Sequence, residues 1–469
     1  MSSIYFSNFH LEEDTQYFFY IGELKNYGLN HFLKEALTRC FNRKFDFIAI
    51  VPDIAEQYNY ENLIVINPLV HTFACQYGNN VNCRVSAAQF MTAVSESRQV
   101  RSLIHQILRR QDHLFLYMYE SLAEMTLDDM DRVSILGPDK TVAGKVNNKR
   151  FQLTHLADQV PMVPYRLCTG YQDLVDTTDT LWNEWTDGIF VTKEYSAAGI
   201  NSTVAATRKD IEDKFHKQDV PYIVSRYIPH VLDPTVLAVV AGEDQVFIAG
   251  VADQCIEDRN RFTGSVFPTR ATPAQVRELE QHTRTVGAWL ARQGYRGIFG
   301  CDYIITDNGD IRFLEINARK QGTTLEFCCT LEQHLPPSAP NLPELEFFAV
   351  TEGLFPANTR EMKPSQSPLH WGTFNYKIHE PVRTESYIPQ GAGERDAFKK
   401  VAHGRLKKDF LILEHTGSDF VIAQGAFIGR IVALGHDHDS VAQGIRQGCK
   451  TIELTFTRQI HTETCNAGH

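Results

Sequence analysis

Residues 313–324, FLEINARKQGTT, place a carboxylate and an amide where a strand would normally carry apolar side chains. Glu315 and Asn317 are two residues apart, so in a strand both side chains leave the same face. The run before it, GCDYIITDNGDIR, contains Asp302 and an Asn308-Gly309 pair between apolar residues, a strong signal for a two-residue type I′ hairpin turn. With Asn308 and Gly309 as the loop, Asp307 opposes Asp310. Counting back residue for residue, Asp302 then opposes Glu315. Two carboxylates directly opposed on a sheet repel each other. A cation between them removes the conflict, and Asn317 adds a neutral oxygen donor. All-oxygen ligands suit Mg²⁺ held jointly with phosphate. A solvated hairpin face, on which opposed acids are harmless, accommodates the same residues.

Such a hairpin needs a framework. The chain of 469 residues exceeds what one compact core accommodates and points to several subdomains. Its composition, 43% hydrophobic and 22% charged, is that of a folded globular protein. A formal net charge of −11 argues against a nucleic-acid binder that works through bulk positive charge, so an anionic ligand must be met by local lysines and arginines. No apolar run is long enough for a membrane span. The opening stretch, MSSIYFSNFHLEEDTQ, turns acidic before a signal core develops. Ten cysteines without a CxxC pair read as reduced thiols of a cytoplasmic protein.

Residues 1–135 alternate apolar strands (FDFIAIV, NLIVI) with amphipathic helical stretches (HFLKEALTRCF, SLIHQILRR), the rhythm of an α/β layer with a largely parallel sheet. Residues 136–334 carry lysine-bearing strands, a loop of small residues, the hairpin and a long helix, PAQVRELEQHTRTVGAWLARQG. A proline-bearing connection fills 335–367. Residues 368–469 read as β-rich (HWGTFNYKI, DFLILEH, DFVIAQ, GRIVALG) before a final helix capped by Asp439 or Ser440. The run His436-Asp437-His438-Asp439 reads as a solvated, helix-capping turn. No phosphate loop of the G-x-x-x-x-G-K-[ST] type is present, because Gly137 and Gly144-Lys145 are too far apart and Val146 follows.

GCDYIITDNGDIRFLEINARKQGTT resembles the metal-binding end of the ATP-grasp fold, in which an acid followed by E-x-N, an arginine and a glycine coordinates Mg-ATP. The resemblance implies that Asp302, Glu315 and Asn317 bind Mg²⁺, or Mn²⁺ in its place, and that Arg319 holds the transferring phosphoryl or a substrate carboxylate. LGPDKTVAGKVNNKRFQLTHLADQVPMVPY is similar to the family's opening segment. There Lys149 matches the lysine that reaches the ATP phosphates, with Lys145, one helical turn away, in competition. GIFVTKEYSAAGINS resembles the strand bearing the second lysine, Lys193, and the loop that closes over the phosphates, which contains Ser196 and Gly199. A lysine ending a strand beside small residues brings both an ammonium and backbone N–H groups to a polyphosphate. PYIVSRYIPHVLDPTV resembles the strand and hinge that hold adenine, implying the carbonyl of Arg226 and the N–H of Ile228 at the base and Asp233 at the ribose. Ser225 stands where many relatives carry an acid, and Gly300 where some amino-acid ligases place an arginine.

The likeness covers residues 136–324. The expected fold class is α/β and α+β: an ATP-grasp fold with an N-terminal α/β domain and a β-rich C-terminal domain, whose GAFIGRIVALGHDHDSVAQGIRQG resembles that of biotin-carboxylase-like and peptide-ligase relatives. The activity it implies is ATP-dependent carboxylate–amine ligation. An amide or peptide bond forms through an acylphosphate, releasing ADP and phosphate, and Lys149 and Lys193 neutralise phosphate charge. The expected partners are a small acid and an amine, with no nucleic acid or membrane and with a homodimer compatible. The alternatives are a biotin-carboxylase-like carboxylase, for which Lys363 in EMKPSQ is a poor biotin acceptor, and a non-catalytic nucleotide-binding protein, which has no need to keep Asp302, Glu315, Asn317 and two lysines.

Overall fold

A computed structural model describes residues 4–6, 10–52, 60–68, 85–195, 201–362, 369–378, 380, 382–384, 393–413, 421–422 and 427–457. Three larger sheets organise it. The first has six strands in the order Ile4–Phe6, Leu63–Ile66, Phe45–Val51, Gln16–Ile21, Leu114–Met118 and Val133–Leu136. All pairings are parallel except the first. A parallel sheet is covered on both faces, and its strands are accordingly apolar throughout. Phe18 and Tyr20 pack with Leu29, Phe32 and Leu33 of helix Leu29–Phe41 on one side. Tyr17, Phe19 and Ile21 pack with Phe90, Val94, Val100 and Ile104 of helices Ala87–Glu96 and Arg98–Ile107 on the other.

The second sheet is small and antiparallel, in the order Tyr165–Cys168, Tyr222–Arg226, Ile189–Lys193 and Ser202–Ala205. Helices Tyr171–Leu181 and Arg208–Phe215 share its core. The third sheet has eight strands, in the order Ile311–Asn317, Gly297–Ile305, Pro234–Gly242, Gln245–Glu257, Arg261–Phe267, His370–Lys377, Phe427–Gly435 and Asp409–Leu413. Helix Pro273–Arg292, with Pro273 in its first turn, packs Val276, Leu279, Val286 and Leu290 against it. The strands of the C-terminal region therefore continue the sheet that contains the hairpin.

Three local expectations are corrected. The proline-bearing connection contains a helix, Leu342–Thr351, capped by the Asn341 side chain. Pro343 is tolerated there because the N–H it lacks has no partner in a first turn. The final helix, His438–Glu453, is capped by Asp437, whose carboxylate accepts from Ser440 N at 2.7 Å, so the helix starts earlier than expected. The hairpin turn is not the two-residue kind. Thr306 N donates to Asp310 O at 3.0 Å, Gly309 N donates to Thr306 O at 3.0 Å, and Gly309 has φ +91°. This is a three-residue loop with glycine in the left-handed position, stabilised further by Asp310 N donating to Thr306 Oγ1 at 3.0 Å. The change moves the first pairs by one residue, to Ile305 with Ile311 and Tyr303 with Phe313. A bulge at Leu314, which is 38% exposed, then restores the count, so that Asp302 faces Glu315 and Gly300 faces Asn317. The segment beside the bulge is held by Phe313 N donating to Pro161 O at 2.7 Å.

Candidate active site on the acidic hairpin

Asp302 is 8% exposed. Its Oδ2 accepts from Asn317 Nδ2 at 2.8 Å, while its buried Oδ1 makes no well-formed hydrogen bond among the described residues and the neighbouring Thr235 hydroxyl offsets the burial only in part. Buried polar atoms are nearly always satisfied, so the exception calls for an explanation. Burial, and then the Glu315 carboxylate opposite, push Asp302 up to about 6. Glu315 is ion-paired with Lys149.

Lys149 arrives there through local chemistry. Asn148 caps helix Lys149–Leu156 by accepting from Phe151 N at 2.9 Å, which makes Lys149 its first residue. One turn on, Gln152 bonds the hairpin backbone twice, donating to Ile316 O at 3.0 Å and accepting from Ile316 N at 2.9 Å. Residues three apart share a helix face, so this clamp sets Lys149 beside Glu315. Lys145 points elsewhere: it donates to Gln293 Oε1 at 3.1 Å and lies 4.7 Å from the centre of the Phe151 ring.

Arg319 extends the chain of contacts. It donates to Asn317 Oδ1 at 3.0 Å, to Lys320 O at 3.0 Å and to the Tyr119 hydroxyl at 3.2 Å. Burial by itself disfavours the guanidinium charge, but Tyr119, Glu120, Glu23 and Glu315 outweigh it and hold the group above its ordinary pKa. Glu120, where the first sheet meets the hairpin, is itself raised by burial.

The other expected residues lie on the small sheet and its exit. Lys193 ends its strand and donates to Gln218 Oε1. Ser196 and Gly199 fall outside the described residues. Arg226 N donates to Pro164 O at 2.9 Å, and its guanidinium meets Asp187 at 3.3 Å. His230 bridges Ile228 O, 2.7 Å from Nδ1, and Asp233 Oδ1, 2.9 Å from Nε2. Two acceptors require both ring nitrogens to donate. Burial pulls the imidazole pKa down, yet Asp233 and Ile228 O more than offset it, and the net shift is upward. Asp233 stands two residues before Thr235, which pairs with Asp302, so the hinge leads directly to the acids.

Several contributors were not found by sequence reasoning. Asn147 Oδ1 accepts from Ala318 N at 2.8 Å. Gln321 donates to Thr235 Oγ1 at 3.0 Å, and a Cβ built at Gly300 would lie 2.0 Å from Gln321 Nε2. Gln321 thus fills the space a side chain at 300 would need, and a strand-interior glycine was the signal for that close approach. Arg430, from strand Phe427–Gly435, donates to Gly322 O at 2.6 Å and Glu326 Oε1 at 2.7 Å, with both side chains 3% exposed. Tyr119 and Gln152 had no sequence signal.

The carboxylates of Asp302 and Glu315, with the Asn317 amide oxygen once Arg319 releases it, are donors that fit a hard cation. Among the described residues no three His, Cys, Asp or Glu side chains converge.

Residues 146–323 match the model of the ATP-grasp domain. The chain is 22% identical over 209 residues to the butirosin acyl-carrier protein–L-glutamate ligase of Niallia circulans. That match covers 43% of this chain and 49% of the relative, so the chain spans about half the relative's length. Among solved structures it is similar to the carboxyaminoimidazole ribonucleotide synthase of Aspergillus clavatus complexed with ATP (14% identity, TM-score 0.55, covering 93% of this chain and 98% of that one). It is also similar to the biotin carboxylase of Campylobacter jejuni (13%, TM-score 0.58, 95% and 92%). Identities this low concern the fold. The chain carries an ATP-grasp domain at residues 146–323 and adopts the ATP-grasp fold, with a parallel-sheet domain before it and antiparallel strands after it.

Proposed function

We propose that this protein is an ATP-dependent carboxylate–amine ligase that forms an amide or peptide bond through an acylphosphate and releases ADP and phosphate. The observation that supports it best is the convergence of Lys149 on Glu315, opposite Asp302, with Asn317 leading on to Arg319. A carboxylate is a poor acyl donor until one of its oxygens becomes a good leaving group, and phosphorylation achieves this. Asp302, Glu315 and Asn317 would hold Mg²⁺, which when bound supplies positive charge to the phosphates. In this reading Glu315 releases Lys149, whose ammonium turns to the phosphates alongside Lys193, while Arg319 orients the acid or the transferring phosphoryl. Arg226, Ile228 and Asp233 would receive the nucleoside, and the loop bearing Ser196 and Gly199 would keep water from the mixed anhydride. The similarity to an acyl-carrier protein–glutamate ligase supports ligase activity, and amino acids and an acyl-carrier protein come first in a substrate screen. Free thiols at Cys168, Cys301, Cys328 and Cys329 agree with a cytoplasmic setting. No described helix is long and apolar enough to cross a membrane.

The fold likeness to a biotin carboxylase supports a second reading, ATP-dependent carboxylation. One experiment separates the two. With the acid labelled by ¹⁸O, ligation transfers one labelled oxygen to phosphate on each amine-dependent turnover. Carboxylation instead passes bicarbonate oxygen to phosphate and leaves the acid's label out of it. Unlabelled phosphate, or AMP and pyrophosphate as products, overturns the acylphosphate route.

A further inference from the structure

Lys320 follows Arg319, but its ammonium faces away from the acids and is 2% exposed. Nζ donates to Met118 O at 2.7 Å, pairs with Glu346 Oε2 at 2.7 Å and lies 4.1 Å from the centre of the Tyr117 ring. Its backbone N donates to Tyr119 O at 3.2 Å. Glu346, on helix Leu342–Thr351, is 1% exposed and reaches Ile298 N at 3.4 Å, on the strand that carries Asp302. One buried ammonium thus joins the end of strand Leu114–Met118, the segment after E-x-N, and a helix that also contacts the hairpin's inner strand. The residue whose carbonyl takes the Lys320 N–H, Tyr119, is the one whose hydroxyl takes the Arg319 guanidinium. Fixing Lys320 on Met118 and Tyr119 therefore fixes where Arg319 meets Asn317 and Tyr119.

A buried ion pair is a poor way to gain stability, because well-packed apolar side chains of similar volume serve as well or better. An apolar side chain cannot bond the Met118 carbonyl, however, and so cannot set this register. We infer that Lys320 is a positioning residue: clamped by Met118 and Glu346, it holds Arg319 at the reacting carboxylate or phosphoryl without touching either. Its kinetic consequence rests on the ligase reading above.

The test is the double variant Lys320→Met/Glu346→Gln, which leaves no buried charge unpaired, compared with Arg319→Ala and with the triple variant. Circular dichroism and a cooperative melt establish folding. Affinity for MgATP should stay within about 2-fold of the parent, while turnover falls about 10-fold or more, since a small misplacement of a positioned group is enough for that. Adding Arg319→Ala to the double variant should lose no more than Arg319→Ala alone. Amide hydrogen exchange at residues 318–321 should rise in the folded double variant. Parent-like turnover, or a loss that multiplies with that of Arg319→Ala, overturns the inference. If the parent shows no acid-dependent phosphate release, the ligase reading fails by itself. Hydrogen exchange then decides the clamp: a rise at 318–321 supports it, and unchanged protection overturns it.

Discussion

Asp302 offers the sharpest physical test of the acidic hairpin. Its carboxyl titrates at about 6, raised from an ordinary 3.8 by burial and by Glu315. For an acid whose folded pKa lies above its unfolded one, the folded state binds the proton more tightly. Stability is therefore unaffected well below pH 3.8, falls as pH rises through the window, and is fully reduced above 6. At roughly 1.4 kcal/mol per pKa unit the penalty is on the order of 3 kcal/mol at pH 7.5 and about half of that at pH 5. Asp302→Asn removes the titrating charge and keeps an oxygen to accept from Asn317, at a roughly pH-independent cost of about 1–3 kcal/mol if the new amide N–H₂ stays unpaired. The pH slope isolates the electrostatic part. Urea unfolding of the Mg²⁺- and nucleotide-free protein should show the stability of the variant, relative to the parent, increasing by on the order of 1 kcal/mol from pH 5 to pH 7.5. MgATP should stabilise the parent and not the variant. A difference that is flat or decreasing over that pH range refutes the account of two acids forced together.

The lysine assignment predicts that Lys149→Ala weakens MgATP binding about 10-fold or more while Lys145→Ala changes it less than about 3-fold, measured by calorimetry; a reversed order would move the motif four residues back, onto the separate helix Lys140–Val146 and not one turn along the same helix as expected from the sequence. Gly300→Ala should displace Gln321 from Thr235 and destabilise by about 1–3 kcal/mol in urea titration, and an unchanged midpoint would show that Gln321 has room to yield. Arg430→Met strands Glu326 and should cost about 3–5 kcal/mol, with Arg430→Met/Glu326→Leu recovering most of it; a double variant as unstable as the single would mean that Gly322 O is the essential partner.

The comparison of sequence with structure turns on which interactions are local. The alternation of strands and helices in the first domain and the acidic face of the hairpin follow from side-chain period and propensity, which act over a few residues. So does the start of the helix at Lys149, fixed by its Asn148 cap. The pairing of Asp302 with Glu315 was reached from the sequence through a two-residue turn that does not form. The three-residue loop and the bulge at Leu314 cancel, because the loop takes one more residue from the first strand and the bulge one more from the second.

The charged residues on the hairpin and on the lysine helix, and the fold class that carries them, are thus legible from local pattern. Their partners depend on contacts made in the folded chain. Tyr119 on Arg319, Met118 and Glu346 on Lys320, Gln152 on Ile316, and Arg430 on Glu326 are separated by tens to hundreds of residues. No periodicity or spacing links such pairs. They meet because the first sheet ends against the hairpin and the C-terminal strands extend the same sheet, and a buried charge there is stable only where a distant segment supplies its counter-charge.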